Sequence, residues 1–170
     1  TLMDISEAET GVMQLNVKPV NVGDLIASIY DLYLYSAEEK GLTLETTVPP
    51  DLRVDADAGR LRQALSNLVD NAVKYTPEGG RIMVEAWDDA DTVRITVRDS
   101  GPGIPETEIP RIFDRLYRGD KSRSQRGLGL GLCLVKAIAE AHGGTIEVWN
   151  APEGGAVFTF SLPRELRAKE

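Results

Sequence analysis

Residues 58–75 carry two stripes on one helix, and this restricts the fold more than any other feature of the chain. Leu61, Ala64, Leu65, Leu68 and Ala72 recur at the spacing of a single helical face. Gln63, Asn67, Asn71 and Lys74 recur at intervals of four, four and three on a stripe beside the apolar one, not opposite it. The apolar stripe faces a core. The amides then fall at the rim of the core, where a cleft would open. Asp57 stands in the N-cap position, and Thr76-Pro77-Glu78-Gly79-Gly80 turns the chain after the helix.

Strand signals accompany this helix. Segments 82–87 and 93–99 flank the acidic turn Asp88-Asp89-Ala90-Asp91 and read as an antiparallel hairpin. Segments 145–150 and 156–162 form a second hairpin across Pro152-Glu153-Gly154-Gly155. Residues 42–48 alternate until Pro49-Pro50, and residues 14–20 alternate weakly, as an edge strand would. Asn21 caps a helix that carries Leu25, Ile29, Leu32 and Tyr33 and stops at Gly41. Another helix runs from 130 to 141 and ends at Gly143-Gly144, and a short one is expected near 110–114. Helices mixed with hairpins give an α+β class. Residues 1–13, with Leu2, Ile5 and Glu9 at helical spacing before Gly11, read as the end of a helix too short to fold alone. The chain is therefore expected to be a piece of something longer.

Composition excludes several functions. With 42% hydrophobic and 27% charged residues in 170, the chain can bury its own core. One cysteine rules out an internal disulfide framework, and one histidine rules out a multi-histidine metal site. No apolar run approaches the ~18 residues of a membrane span, and no signal-peptide pattern opens the chain. The net charge of −8 argues against nucleic acid as the main partner.

Three regions carry chemistry. Asparagine oxygen suits a hard cation such as Mg²⁺, which takes few protein ligands beside phosphates and water. Lys74 offers a point charge to a phosphate, and Tyr75 a flat face and a hydroxyl. The plain alternative is a helix with surface asparagines, although Asn is a poor helix former. On segment 93–99, Val93, Ile95 and Val97 share a face that Asp99 continues. A carboxylate aimed at the buried side needs a donor; the exocyclic amine of a purine would serve. Ser100-Gly101-Pro102-Gly103 would let a ligand approach the backbone; the alternative is an aspartate that caps a turn. Finally, Gly127-Leu128-Gly129-Leu130-Gly131-Leu132 runs into a helix N-terminus and can present N–H groups to an anion, or serve as a hinge. Before it, residues 111–126 hold six basic side chains against Asp114 and Asp120 in an otherwise acidic chain. That reversal of sign suits a triphosphate, or a solvated mobile loop.

Taken in order, these segments resemble the ATP-binding catalytic domain of bacterial sensor histidine kinases, in the superfamily shared with type II topoisomerase ATPases, Hsp90 and MutL. Residues 62–76, with Asn67, Asn71, Lys74 and Tyr75, look like its N box. Asp99-Ser100-Gly101-Pro102-Gly103-Ile104 looks like the G1 box, Ile112-Phe113-Asp114-Arg115-Leu116-Tyr117-Arg118 like the F box, and 127–132 like the G2 box. The likeness runs from about residue 14 to Pro163.

The resemblance implies a two-layer α/β sandwich, the Bergerat ATP-binding fold, with a mixed sheet and helices on one face. It implies ATP and Mg²⁺ as cofactors. Asn71 would hold the ion, with Asn67 supporting it; Lys74 and Arg118 would meet phosphates. Tyr75 would lie against the nucleotide, and Asp99 would take the adenine amine above Gly101, Gly103 and Ile104. Gly127, Leu128, Gly129, Leu130, Gly131 and Leu132 would wrap the phosphates, and Phe113 would anchor the lid by packing. Leu128 departs from the small or hydroxyl residue usual there, and Cys133 from the usual alanine; a buried Cys133 reads as core. His142 precedes a glycine cap, where a helix dipole favours its charge, and it is not the family's phosphoacceptor.

The expected division is therefore 1–13 as the tail of a dimerisation helix, 14–165 as the catalytic domain and 166–170 as a tail. The implied reaction donates the γ-phosphoryl of ATP to a histidine on the parent's dimerisation domain, then to a response-regulator aspartate. The fragment is expected to be monomeric and cytoplasmic. The parent is expected to be homodimeric, and such parents often sit in a membrane. Two other readings are a serine-kinase anti-sigma factor of the same fold and a non-catalytic nucleotide-binding scaffold.

Overall fold

The computed structural model describes residues 13–114 and 131–166. Strand β1 (Lys18–Asn21) leads into α1 (Val22–Glu39), followed by β2 (Thr43–Thr47) and β3 (Arg53–Ala56). Helix α2 (Ala58–Tyr75) precedes the hairpin of β4 (Arg81–Asp88) and β5 (Thr92–Asp99). A 3₁₀ turn (Ile109–Arg111) comes before α3 (Gly131–Ala141), and β6 (Thr145–Asn150) and β7 (Ala156–Pro163) complete the fold.

Five strands form one mixed sheet in the order β2-β4-β5-β7-β6, with β2 parallel to β4 and the remaining pairs antiparallel. Period-two alternation decides which face is covered. Ile82, Val84 and Ala86 of β4 pair with Asp99, Val97 and Ile95 of β5. Val97, Ile95 and Val93 in turn pair with Phe158, Phe160 and Leu162 of β7. All the apolar members of these rows are buried in one cluster with Leu25, Ile26 and Ile29 of α1, Leu61, Leu65 and Leu68 of α2, and Leu134, Val135 and Ile138 of α3. The helices therefore lie on one face. The other face keeps Trp87 and Trp149 partly exposed, at 39% and 44%.

The helix ends are set by local chemistry. Asn21 Oδ1 accepts from Asp24 N–H at 3.0 Å and Asp57 Oδ1 from Arg60 N–H at 3.1 Å, both as N-caps. Gly41, at φ +76°, turns the chain out of α1. Helix α2 occupies the span read from its two stripes.

Two strand expectations change. The segment expected as an edge strand at 14–20 pairs only over Lys18–Asn21, and it does so in a separate two-stranded sheet with β3. Strand β3 itself escapes sequence reading: four residues are too few for an alternation signal, and its paired residues on β1 lie 32 to 38 positions away. Val20 and Val54, a paired couple, still enter the common core.

Candidate functional site

The site is assembled where β5 ends, β6 and β7 meet, and α2 and α3 converge above them. The register of β5 puts Asp99 on the helix side, opposite Ile82. Gly101 N–H donates to Asp99 Oδ1 at 2.9 Å, the local turn that an aspartate makes with the residue two positions on. Ala156 N–H of β7 donates to the same oxygen at 3.3 Å. Oδ2 has no hydrogen-bond partner among the described residues. Burial pushes the Asp99 carboxyl above its ordinary range, and the two backbone donors offset only part of that cost.

The loop after Asp99 is packed tightly. Gly101 is buried, and a Cβ there would stand 3.0 Å from Asp99 Oδ1 and 3.1 Å from Tyr75 O. Gly155 lies against Asp99 from the hairpin side; its Cβ would fall 1.8 Å from the Asp99 carbonyl oxygen. Ile104 is partly buried against the core. Phe113 meets Phe158 edge to face, with ring centroids 6.3 Å apart, and so fixes the 3₁₀ region to the sheet.

On the facing side, α2 presents Asn67 and Asn71 half-buried and Lys74 exposed. Asn67 Nδ2 donates to Gly131 O at 3.2 Å, joining α2 to the first residue of α3. Lys74 Nζ lies 2.9 Å from Asp70 Oδ2, both side chains 44% exposed. Lys40, at the end of α1, donates through Nζ to Val73 O at 2.7 Å and Lys74 O at 2.8 Å, and so caps the C-terminus of α2. Of the residues picked out from the sequence, Asn67, Asn71, Lys74, Tyr75, Asp99, Gly101, Gly103, Ile104, Gly131 and Leu132 belong to the elements meeting here. Arg118, Gly127, Leu128, Gly129 and Leu130 lie outside the described residues. Cys133 is buried in the core, as its position on α3 implies.

His142 corrects one expectation. Its place at the end of α3 suggests a cation favoured by the helix dipole, yet it is 1% exposed, and burial holds its pKa below the ordinary 6.5. Asp57 N–H donates to Nε2 at 3.1 Å, and Nδ1 lies 2.8 Å from Ile138 O. With Nε2 accepting, the proton sits on Nδ1 and the ring is neutral. Asp57 Oδ2 also accepts from Asn16 N–H at 2.9 Å. Burial pushes the Asp57 carboxyl up, but the Asn16 and Arg60 amides and nearby positive charge outweigh it and bring it below its ordinary value.

Sequence reasoning missed three residues that shape the site: Lys40, Asp70 and Asn150. Lys40 acts from another helix, which no local pattern reveals. Asp70 lies four positions before Lys74, a spacing that does signal an ion pair. Asn150 is an exposed strand-ending asparagine, indistinguishable in sequence from a turn residue.

Residues 56–166 match the profile of the family described as histidine kinase-, DNA gyrase B- and HSP90-like ATPases. The chain belongs to that family. Within this ATPase family its likeness is to sensor histidine kinases. Over 169 residues it is 35% identical to the sensor-like histidine kinase SenX3 of Mycobacterium tuberculosis, covering 98% of this chain and 41% of that protein. The chain thus spans less than half the length of this curated relative. The solved catalytic domain of histidine kinase ThkA superposes with a TM-score of 0.81 at 33% identity, covering 89% of this chain and 97% of that one. Full-length ShkA in complex with AMPPNP superposes with a TM-score of 0.85 at 31% identity, over 99% of this chain and 35% of that one. ThkA in complex with the response regulator protein TrrA gives 0.77 at 31% identity, over 96% and 47%. The α+β sandwich and the catalytic-domain reading follow from these matches, and the chain is an ATP-binding catalytic domain of the histidine kinase type.

Proposed function

We propose that this domain binds Mg-ATP between α2, the Asp99–Ile104 loop and α3, and donates the γ-phosphoryl to a histidine on a helical dimerisation domain of its parent protein. The observation that carries this reading is Asp99. Its Oδ1 is held by two backbone amides, and Oδ2 is without a partner in a partly desolvated place. Such an oxygen accepts from an amine, and adenine presents one. Asn71 would hold Mg²⁺ through its amide oxygen, with Asn67 steadying it from one turn earlier. Among the described residues no group of three His, Cys, Asp or Glu side chains could hold a metal. A single amide oxygen beside a triphosphate fits the few protein ligands Mg²⁺ takes. When bound, the ion would neutralise phosphate charge.

This chain's own residues bind and position. Lys74 is free to swing from Asp70 to a phosphate, since an exposed i,i+4 pair is weakly held. Arg118 would join it, the 127–132 loop would supply N–H groups, and Tyr75 would lie along the nucleotide. The acceptor histidine nitrogen attacks the γ-phosphorus; the bond to the bridging oxygen breaks, and ADP leaves with that electron pair. A response-regulator aspartate then receives the phosphoryl group. ShkA's AMPPNP complex and ThkA's complex with TrrA support the nucleotide and the regulator for this chain by similarity. In this reading residues 1–13 are the tail of a dimerisation helix, 14–165 the catalytic domain and 166–170 a tail. The isolated domain is a cytoplasmic monomer, and its parent is a homodimer.

The test is transfer from γ-labelled ATP to a separately supplied, histidine-bearing dimerisation domain. The expected product is an acid-labile label on that domain, absent with Asn71→Ala. An acid-stable label on a serine of a partner protein would replace the reading with an anti-sigma kinase. Nucleotide binding with no transfer would leave a scaffold.

A further inference from the structure

One polar side chain beside the cleft has no part in this reading. Asn150, the last residue of β6, spends both ends of its amide on a single residue. Ile104 N–H donates to Oδ1 at 2.8 Å, and Nδ2 donates to Ile104 O at 2.7 Å. A side-chain amide so placed imitates the paired bonds of an antiparallel strand neighbour. It does so on a segment that belongs to no strand. Gly103 lies directly over this amide. Its φ is +76°, and a Cβ there would stand 2.7 Å from Asn150 Oδ1.

The strand partner of Asn150 is Ala156. Ala156 N–H is one of the two donors to Asp99 Oδ1. A single β6–β7 pair therefore holds both ends of the loop: Asp99 through the backbone of Ala156, Ile104 through the side chain of Asn150. The turn that joins the two strands is closed by Ala151 N–H to Gly155 O at 2.9 Å. Gly155 in turn packs against the Asp99 carbonyl.

We propose that Asn150 is a positioning residue for base recognition, fixing Gly103 and Ile104 relative to the Asp99 carboxylate and thereby setting the preference for adenine over guanine. The inference rests on the reading of Asp99 as the acceptor for the adenine amine. Guanine presents a carbonyl where adenine presents that amine, and a carboxylate repels it. The repulsion discriminates only while the carboxylate and the opposing loop stay put; a loop freed at Ile104 can shift to relieve it. A residue with a merely structural role would lower thermal stability and weaken both nucleotides alike.

The experiment titrates the wild-type chain, Asn150→Ala and Asn150→Gln by calorimetry with non-hydrolysable Mg-ATP and Mg-GTP analogues and with inorganic triphosphate plus Mg²⁺. Loss of two exposed hydrogen bonds should weaken the ATP analogue about tenfold in Asn150→Ala. The GTP analogue should weaken less, so that the ratio between the two narrows, and triphosphate binding should stay unchanged. Asn150→Gln keeps both groups but carries them one methylene too far, and it should behave like the alanine variant. Should both variants fail to fold, amide exchange of wild-type Ile104 decides: strong protection supports the clamp, and exchange at a free-amide rate overturns it. Wild-type binding with an unchanged ATP-to-GTP ratio in Asn150→Ala overturns this inference alone. Absence of nucleotide binding by the wild type overturns the underlying reading as well.

Discussion

On the proposed base side of the cleft, the Gly101 and Ala156 amides hold Asp99, Asn150 holds the Ile104 amide, and glycines at 101, 103 and 155 leave no room for a side chain. On the proposed phosphate side, half-buried Asn71 and exposed Lys74 stand on one helix, and Lys74 pairs with Asp70. The first wall is preorganised by close packing. The second is held by charge and by long side chains that can move. Base recognition needs fixed hydrogen-bond geometry, because a small displacement loses the discrimination. Triphosphate recognition needs charge that can follow the ligand. In the proposed mode of binding, the difference between the walls divides the labour of nucleotide recognition.

The largest effect expected from this contrast lies at the hairpin. Gly155→Ala would drive a Cβ to 1.8 Å from the Asp99 carbonyl oxygen at φ +92°. It should cost about 3 kcal/mol or more, as overpacking and backbone strain combine. Gly154→Ala, at φ +106° with nothing within 4 Å, meets only the strain. That cost should be about 1–2 kcal/mol. Urea unfolding compares the two, and equal midpoints would mean that the hairpin does not brace the loop.

Next comes Lys74→Ala. It should weaken an ATP analogue about tenfold, the scale of a single charged phosphate contact. Adenosine binding and the melting temperature should hardly change, because the exposed Asp70 pair adds little to stability. Raising the salt concentration should erode the Lys74 contribution and spare the adenosine contribution. A salt dependence shared equally by both ligands would remove the distinction between the walls.

A smaller effect concerns pH. Asp99 has a raised pKa, so acid protonates it before ordinary aspartates. Nucleotide affinity should therefore decline, as pH falls, earlier than an ordinary carboxylate would dictate. A flat profile for adenosine would show that the ionised form is not required. At the far end of α2, His142 has a lowered pKa. A group of this kind stabilises the fold above its unfolded value of 6.5, and that stability drains away as pH drops toward the folded value. Asp57, also lowered, adds the same sign in a more acidic window. Melting temperature against pH should fall through both windows in the wild type, and the upper one should vanish in His142→Asn.

Much of this was legible from residue order. The stripes of α2 gave its span and the rim position of its amides, and the alternation of β5 aimed Asp99 inward, because helical and strand periods are local. The rest depended on pairings across the chain. Strand β3 was hidden because its four residues make sense only beside β1. His142 misled because its position in the helix is local while its burial under the Asp57 amide, 85 residues away, is not. Asn150 and Ile104, 46 residues apart, were joined only by the fold.

The proposed function stands or falls with Asp99 as the acceptor in a preformed adenine site. The most direct measurement is calorimetric titration of a non-hydrolysable Mg-ATP analogue into the wild type and Asp99→Asn. The wild type should bind, and the variant should lose about a hundredfold, as for a partly buried hydrogen bond to a charged group. The variant should remain folded, because the asparagine oxygen can still accept from Gly101 and Ala156. Equal affinity in the two proteins would place the base elsewhere and remove Asp99 from its recognition.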